Sequence, residues 1–149
     1  RESGEKYIPW ILETSMGVGR VFLAVFSEAY HEDELGGEKR VVLKFAPHLG
    51  PVKVAVFPLL RNKPQLVEKA REIYAMLRKS IPGVTFDDNG NIGKRYRRQD
   101  EIATPWCVTV DFDTIETDNT VTVRDRDTGA QERVAIADLH TLFVARLSS

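Results

Sequence analysis

The sequence has little of what marks secreted, membrane-spanning or metal-binding proteins. It has one cysteine, Cys107, so an internal disulfide is excluded. Because Cys107 lies in an apolar run, we expect a buried structural thiol, in keeping with a cytoplasmic protein. No apolar stretch approaches the ~20 residues that a membrane span requires. The three histidines lack the spacing of metal ligands, and we expect no metal site.

The chain also lacks an excess of charge of either sign. Its Lys and Arg number 21 and its Asp and Glu 22, which gives a formal net charge of −1. Any contact with nucleic acid therefore depends on a local basic patch rather than on the field of the whole chain. The 149 residues suit one domain and a short extra piece. Because the chain begins without Met, we expect it to be part of a longer protein.

The apolar pattern predicts two domains, at residues 1–46 and 47–149. Residues 7–12 predict a buried strand. Residues 17–30 predict a helix that is apolar around most of its circumference, which is typical of a buried helix. The polar stretch at residues 29–39 then marks a candidate boundary.

From residue 52 onward the pattern predicts the order β-α-β-α-β-β-β-α. Alternation of strand and helix favours parallel pairing with right-handed crossovers, and the closing hairpin adds antiparallel strands. We therefore predict an α/β fold with a mixed β-sheet flanked by helices. The predicted strands are at 52–60, 84–86, 106–112, 120–124 and 132–136, and the predicted helices at 64–80, 92–103 and 138–147.

A strand–turn–helix segment near the start has the composition of an anion-binding site. Glu13 and Ser15 follow the predicted strand, and Gly17 and Gly19 allow a ligand to approach the backbone closely. Arg20 stands in the first turn of the helix, where a guanidinium and the helix N-terminus both favour phosphate. Taken alone, the segment suits an ordinary strand–turn–helix with a capping hydroxyl equally well.

A second cluster consists of cations on one predicted helix. Lys94, Arg95, Arg97 and Arg98 fall within about 160° of the helix circumference, with Tyr96 opposite. Clustered cations attract RNA phosphates, and RNA loops offer splayed bases for specific recognition. The alternative is a solvated face whose cations pair with nearby acidic side chains.

The predicted closing hairpin and the strand before it offer further candidates. Arg124 and Arg126 extend the basic set, although alternating Arg and Asp on a strand also suits a self-paired ladder. Asp111 and Asp113 share one strand face, as do Asp125 and Asp127, and strand-end solvation or turn capping is favoured over a cation site.

Several of these segments together resemble class II glycyl-tRNA synthetases. The pattern Glu-x-Ser-x-Gly-x-x-Arg at residues 13–20 is similar to motif 3 of class II aminoacyl-tRNA synthetases, with Thr14 where glycyl enzymes usually have Pro. Residues 33–40 resemble the linker that follows this motif. The segments that resemble signatures of the family's anticodon-binding domain are 93–102, 109–114 and 122–127.

The resemblance implies the C-terminal part of an enzyme that attaches glycine to tRNA at the expense of ATP. It implies that Glu13 holds the glycine ammonium, that Ser15 lies against the α-carbon, and that Arg20 contacts the γ-phosphate of ATP. ATP with Mg²⁺, glycine and tRNA-Gly are then the ligands of the whole enzyme, which is usually a homodimer. The implied binding residues are Glu13, Ser15 and Gly17 for glycine, Gly17, Val18, Gly19 and Arg20 for ATP, and Lys94, Arg95, Arg97, Arg98, Arg124 and Arg126 for the anticodon.

A hypothesis from a different class is a non-catalytic nucleic-acid-binding protein that reuses the fold, as the accessory subunit of the mitochondrial DNA polymerase does. A subunit without catalysis would not need to retain Glu13, Ser15 and Arg20 together. Their joint presence therefore favours the ligase.

We predict that this chain alone does not activate glycine and binds no cofactor tightly. Motifs 1 and 2 of class II synthetases, which supply the adenine pocket and the α-phosphate Arg, are missing from it, and catalysis requires a closed, preorganised site. Glycine-dependent ATP–pyrophosphate exchange should not exceed that of a heat-killed control. Exchange above that control would contradict the prediction.

Overall fold

The computed structural model describes residue 4 and residues 6–148. Residues 1–3, 5 and 149, which are the outermost positions of the two predicted domains, lie outside the described residues. None of the described helices is long and apolar enough to cross a membrane. The helices are α1 (Val18–Ala29), α2 (Pro64–Arg78), α3 (Ile92–Glu101) and α4 (Leu139–Ser148), and the strands are β1 (Tyr30–Leu35), β2 (Glu38–Leu43), β3 (Val54–Pro58), β4 (Val84–Phe86), β5 (Trp106–Val110), β6 (Thr120–Asp125) and β7 (Gln131–Ala135).

The main sheet has five strands in the order β4-β3-β5-β6-β7. Strand β3 pairs in parallel with both β4 and β5, whereas β6 is antiparallel to β5 and to β7. The crossover helices α2 and α3 connect the parallel strands. The predicted mixed sheet and the predicted element order from residue 52 onward are both confirmed.

Helices cover the two faces of this sheet unequally. Val54 and Val56 of β3 belong to the larger apolar cluster, which includes the buried side chains of α2 and α4. Ala55 and Phe57 point to the other face, where they form a smaller cluster with Cys107 and residues of α3. The thiol of Cys107 is buried as predicted, and burial raises its pKa well above the ordinary value. Helix α3 therefore lies on the opposite face of the sheet from α2 and α4.

A two-stranded hairpin precedes the main sheet, where the polar composition predicted a boundary. Strands β1 and β2 pair antiparallel, with Leu35 opposite Glu38 around the turn Gly36–Gly37. Both glycines have positive φ, at 63° and 82°, as a two-residue turn of type I′ requires. Polar side chains here line a strand pair whose two faces are mostly exposed, which is why composition alone predicted a boundary.

The predicted strand at residues 7–12 is wrong, because residues 6–17 have no regular structure. A strand needs a hydrogen-bonding neighbour, and the sheets formed by the described residues do not extend to this segment. Helix α1 forms as predicted, but only Ala29 on it is buried. Its Phe22 and Phe26 rings stack on each other, and Phe26 meets Phe45, while most of the apolar helix surface stays exposed.

We predict that Gly83→Ala destabilises the fold. Gly83 has φ of +77°, and a Cβ there would lie 2.6 Å from the carbonyl oxygen of Pro51. The left-handed conformation alone should cost an alanine about 1–2 kcal/mol, and the clash adds to it. The free energy of unfolding in urea measures the loss. In the control, Gly19→Ala, the added Cβ meets no heavy atom within 4 Å, so stability should be unchanged or slightly higher. Equal losses in both variants would contradict the prediction.

Candidate nucleic-acid interface

The carboxylate of Asp100 lies at the centre of the contact between α3, β6 and the hairpin. Its side chain is fully buried, with 0% exposed. Arg124 of β6 donates from Nη1 and Nη2 to its two oxygens at 2.8 and 3.0 Å. Arg40 of β2 donates from Nη1 to Asp100 Oδ2 at 3.1 Å. One carboxylate therefore binds two buried guanidinium groups from two different sheets.

Arg40 extends this network through the hairpin. It donates from Nε and Nη2 to the two carboxylate oxygens of Asp33 across the strand pair, at 2.5 and 3.0 Å. Its Nη1 also donates to the backbone oxygen of Arg126 at 2.8 Å. The hydrogen bonds from Arg40 lower the pKa of Asp33 to about 2. Asp33 is therefore ionised at neutral pH and pairs with Arg40 within the hairpin, and Arg40 in turn joins the hairpin to Asp100 of α3.

Arg95 does not lie on the exposed basic face that the helical periodicity predicted. Its side chain is 1% exposed, and it donates to the backbone oxygens of Pro58, Asp88, Asn89 and Gly90. The Pro58 carbonyl ends β3 beyond its pairing with β4, and the other three carbonyls belong to the turn before α3. Arg95 satisfies them in place of water, so its guanidinium is committed to the protein interior.

Arg124 and Arg126 are buried as well, so neither presents a free guanidinium to a ligand. Besides binding Asp100, Arg124 lies over the Tyr96 ring, with its Cζ 4.7 Å from the ring centroid. Arg126 pairs with Asp127 and donates to the carbonyls of Ala103 and Phe45, both at 3.0 Å. Both arginines thus pair with aspartates, as in the self-paired ladder considered for this strand. The partner of Arg124, however, comes from α3.

Three cations of α3, one exposed and two half-buried, line a groove beside the tip of the hairpin. The groove has a volume of about 640 Å³. Lys94 is exposed on it, Arg97 pairs with Glu38 at 2.9 Å, and Arg98 pairs with Asp87 at 2.6 Å. We call this cavity the hairpin groove; its walls include Leu35, Glu38, Asn91, Gly93, Lys94, Tyr96, Arg97, Arg98 and Glu101.

Asp111, one of the aspartates considered as a cation site, caps a turn instead, whereas the side chain of Asp113 makes no capping hydrogen bond within the described part of the chain. Asp111 accepts hydrogen bonds from the backbone N and the hydroxyl of Thr114, at 3.1 and 2.9 Å, and from Arg133. Burial acts to raise the pKa of Asp111, but these hydrogen bonds outweigh it and lower the pKa. Turn capping, the favoured interpretation, is therefore observed. Among residues 4 and 6–148, no group of three His, Cys, Asp or Glu could hold a metal ion.

The residues that resemble motif 3 lie on the surface of the described chain. Glu13 and Ser15 are exposed in the irregular segment, and Gly17 is the N-cap of α1. Val18, Gly19 and Arg20 form the first turn of α1, all exposed. No other polar side chain is hydrogen-bonded to Glu13, Ser15 or Arg20 in the described structure. Their roles toward glycine and ATP stay predictions.

Sequence reasoning missed the pairing of Asp33 with Arg40 and the burial of Arg95. A signal for the first was present, since positions 33 and 40 are equidistant from the Gly36–Gly37 turn and must face each other in a two-residue hairpin. No comparable signal existed for Arg95. The neighbouring cations on α3 have the same charge and lie on the same predicted face of the helix. Only its contact with the end of β3 distinguishes Arg95 from them.

Comparison with known proteins identifies the fold. Residues 53–146 match the model of the anticodon binding domain family. The chain therefore belongs to the anticodon-binding domain family, and α3 with its cations lies within the matched region.

Three similar proteins carry the name glycine–tRNA ligase. The one from Lachnospira eligens is 54% identical over 143 residues, which cover 95% of this chain and 30% of that protein. The one from Deinococcus radiodurans is 49% identical over 156 residues, covering 98% of this chain and 31% of that protein. The one from Thermobifida fusca is 51% identical, with 99% and 32% covered. The chain thus spans about 30% of the length of these relatives.

We predict that Asp100→Asn is strongly destabilising. The variant keeps the volume of the side chain but leaves Arg40 and Arg124 buried without their shared negative charge. Breaking a buried charge pair in this way typically costs about 3–5 kcal/mol. The control is Glu101→Gln, which removes the same charge from the exposed neighbouring position and should change stability by less than about 0.5 kcal/mol. Urea unfolding midpoints test the difference, and similar midpoints for the two variants would contradict it.

Proposed function

We propose that this chain is the C-terminal part of a glycine–tRNA ligase and that residues 47–149 bind the anticodon region of glycine tRNA. The observation that carries the proposal is the row of cations on α3, with Lys94 exposed and Arg97 and Arg98 half-buried, inside the region that matches the anticodon-binding domain family. The ligase names of relatives about half identical to this chain support the glycine assignment. They also support the ligase over a polymerase accessory subunit that reuses the fold.

Lys94, Arg97 and Arg98 are the cations through which this surface would contact RNA. Lys94 has the most exposed position, and the ion pairs of Arg97 and Arg98 are partly exposed. Ion pairs at the surface are weak and are readily exchanged for a phosphate. The buried cations at 95, 124 and 126 would act indirectly, by holding α3 against the sheet in a fixed position.

In the whole enzyme, Glu13, Ser15 and Gly17 would bind glycine, and the segment from Gly17 to Arg20 would bind ATP with its Mg²⁺. The start of α1 fits this role, because an exposed guanidinium in the first turn of a 12-residue helix favours the phosphate of a nucleotide. The exposed apolar surface of α1 is consistent with a helix that is covered by further parts of such an enzyme. The whole enzyme would act as a homodimer in the cytoplasm.

We predict that the chain binds the anticodon stem-loop of glycine tRNA with a strong dependence on salt. Three phosphate contacts should give a slope of log K against log salt of about −2 to −3. Lys94→Ala should weaken the binding of all stem-loops alike and flatten the slope by about 0.7–0.9, the loss of one contact. Fluorescence anisotropy of a labelled stem-loop at several salt concentrations measures both quantities.

The matched control is Lys79→Ala, which removes an exposed cation at the end of α2, a helix on the opposite face of the sheet. Its affinity and its salt slope should equal those of the wild type. A stem-loop with an unrelated anticodon should bind more weakly than the cognate one. Equal binding of both stem-loops, together with no effect of Lys94→Ala, would contradict anticodon binding by this surface.

A further inference from the structure

We propose that the tip of the β1–β2 hairpin forms the second wall of the RNA site and that Arg97 exchanges its Glu38 partner for an RNA phosphate. This inference rests on the proposed function in taking RNA as the ligand. It goes beyond the family match, because residues 35–38 precede the matched region 53–146. The hairpin groove would then be a site built jointly by the hairpin and α3.

The hairpin is held firmly enough to serve as a wall. Arg40 joins it to Asp100, with both side chains buried. The side chain of Leu35 packs against the turn between β6 and β7 so closely that a Cβ on Gly129 would lie 2.7 Å from it. One buried ion pair and one apolar contact thus fix the hairpin tip beside α3, and the groove between them is a lasting feature of the fold.

Arg97 is only partly satisfied where it lies in the structure. Its Nη2 donates to Glu38 Oε2 at 2.9 Å, whereas its Nη1 is buried and has no hydrogen-bond partner among the described residues. A buried N–H without a partner costs free energy. The Glu38 side chain is 80% exposed, and an ion pair with so exposed a partner contributes little in return. The pairing with Glu38 is therefore easily displaced.

An RNA phosphate can take the place of the Glu38 carboxylate on Arg97, because both are anions that a guanidinium binds through its planar N–H donors. Lys94 and Arg98 line the same groove and add positive charge. Of the acidic side chains there, Asp100 is neutralised by two arginines. Glu101 is exposed, and its carboxylate would repel the RNA backbone toward Lys94. Glu38 thus competes with RNA for Arg97 and lowers the affinity of the site.

The test uses the full chain with Glu38→Gln, Arg97→Ala and the double variant. The probes are a labelled anticodon stem-loop of glycine tRNA and a single-stranded 12-nucleotide poly(U). Glu38→Gln should tighten stem-loop binding about two- to fivefold, the size expected for release of one exposed ion pair. Glu34→Gln is the matched control, since it removes the same charge from an exposed position on the same hairpin, opposite Lys39. It should have only the smaller effect of the general charge change.

The double variant separates competition for Arg97 from general electrostatics. If the inference is correct, the extra gain from Glu38→Gln over Glu34→Gln disappears when residue 97 is Ala. Equal gains from the two Gln variants, or a gain that persists without Arg97, would overturn it. If the Arg97-dependent gain occurs with poly(U) and the chain binds the cognate stem-loop no more tightly than poly(U), the groove inference stands. The proposal of anticodon binding then fails. If neither RNA binds the wild type or Glu38→Gln, both are overturned.

Discussion

The fold depends on keeping one buried carboxylate neutralised. Asp100 lies in the last turn of α3 inside the protein, where an unpaired charge would be very costly, and it accepts hydrogen bonds from guanidinium groups of β6 and of the hairpin. The two buried arginines in turn require a negative charge, which Asp100 supplies. These ion pairs therefore fix the positions of α3, β6 and β2 relative to one another. They also fix the direction in which the other side chains of α3 point.

The same principle explains why so many arginines of a nearly neutral chain lie in its interior. Arg95 binds the carbonyls at the end of β3 and in the turn before α3, and Arg126 binds the carbonyls of two loops. A guanidinium has five donors in a fixed plane and can satisfy several carbonyls at once, which Lys cannot do. Burying ions adds little net stability, but it selects one arrangement of the elements over others. Here it leaves the surface of α3 with a short row of cations at a defined distance from the hairpin.

The sequence predicted the main sheet well because strong local signals agreed. The apolar runs of β3 and β5, the amphipathic α2 and the glycine-containing turns each favour one structure, and right-handed crossovers leave few ways to join them. It failed at residues 7–12, where an apolar run has no neighbour to pair with, and at Arg95, where spacing cannot distinguish a surface cation from a buried one. Periodicity gives the direction of a side chain on its own helix. What that side chain meets depends on the loop that folds over it, and this is a tertiary property.

The hairpin also affects where the boundary of this domain lies as a unit that is exchanged between proteins. The match to the domain family begins at residue 53, yet Asp100 and the β6–β7 turn are in contact with Arg40 and Leu35, which come earlier in the chain. A recombination event that joined the later segment to a foreign partner would separate a buried ion from its counterion. We therefore expect that an exchange of this domain between proteins includes the hairpin. The exchanged segment is then longer than the region that matches the domain family.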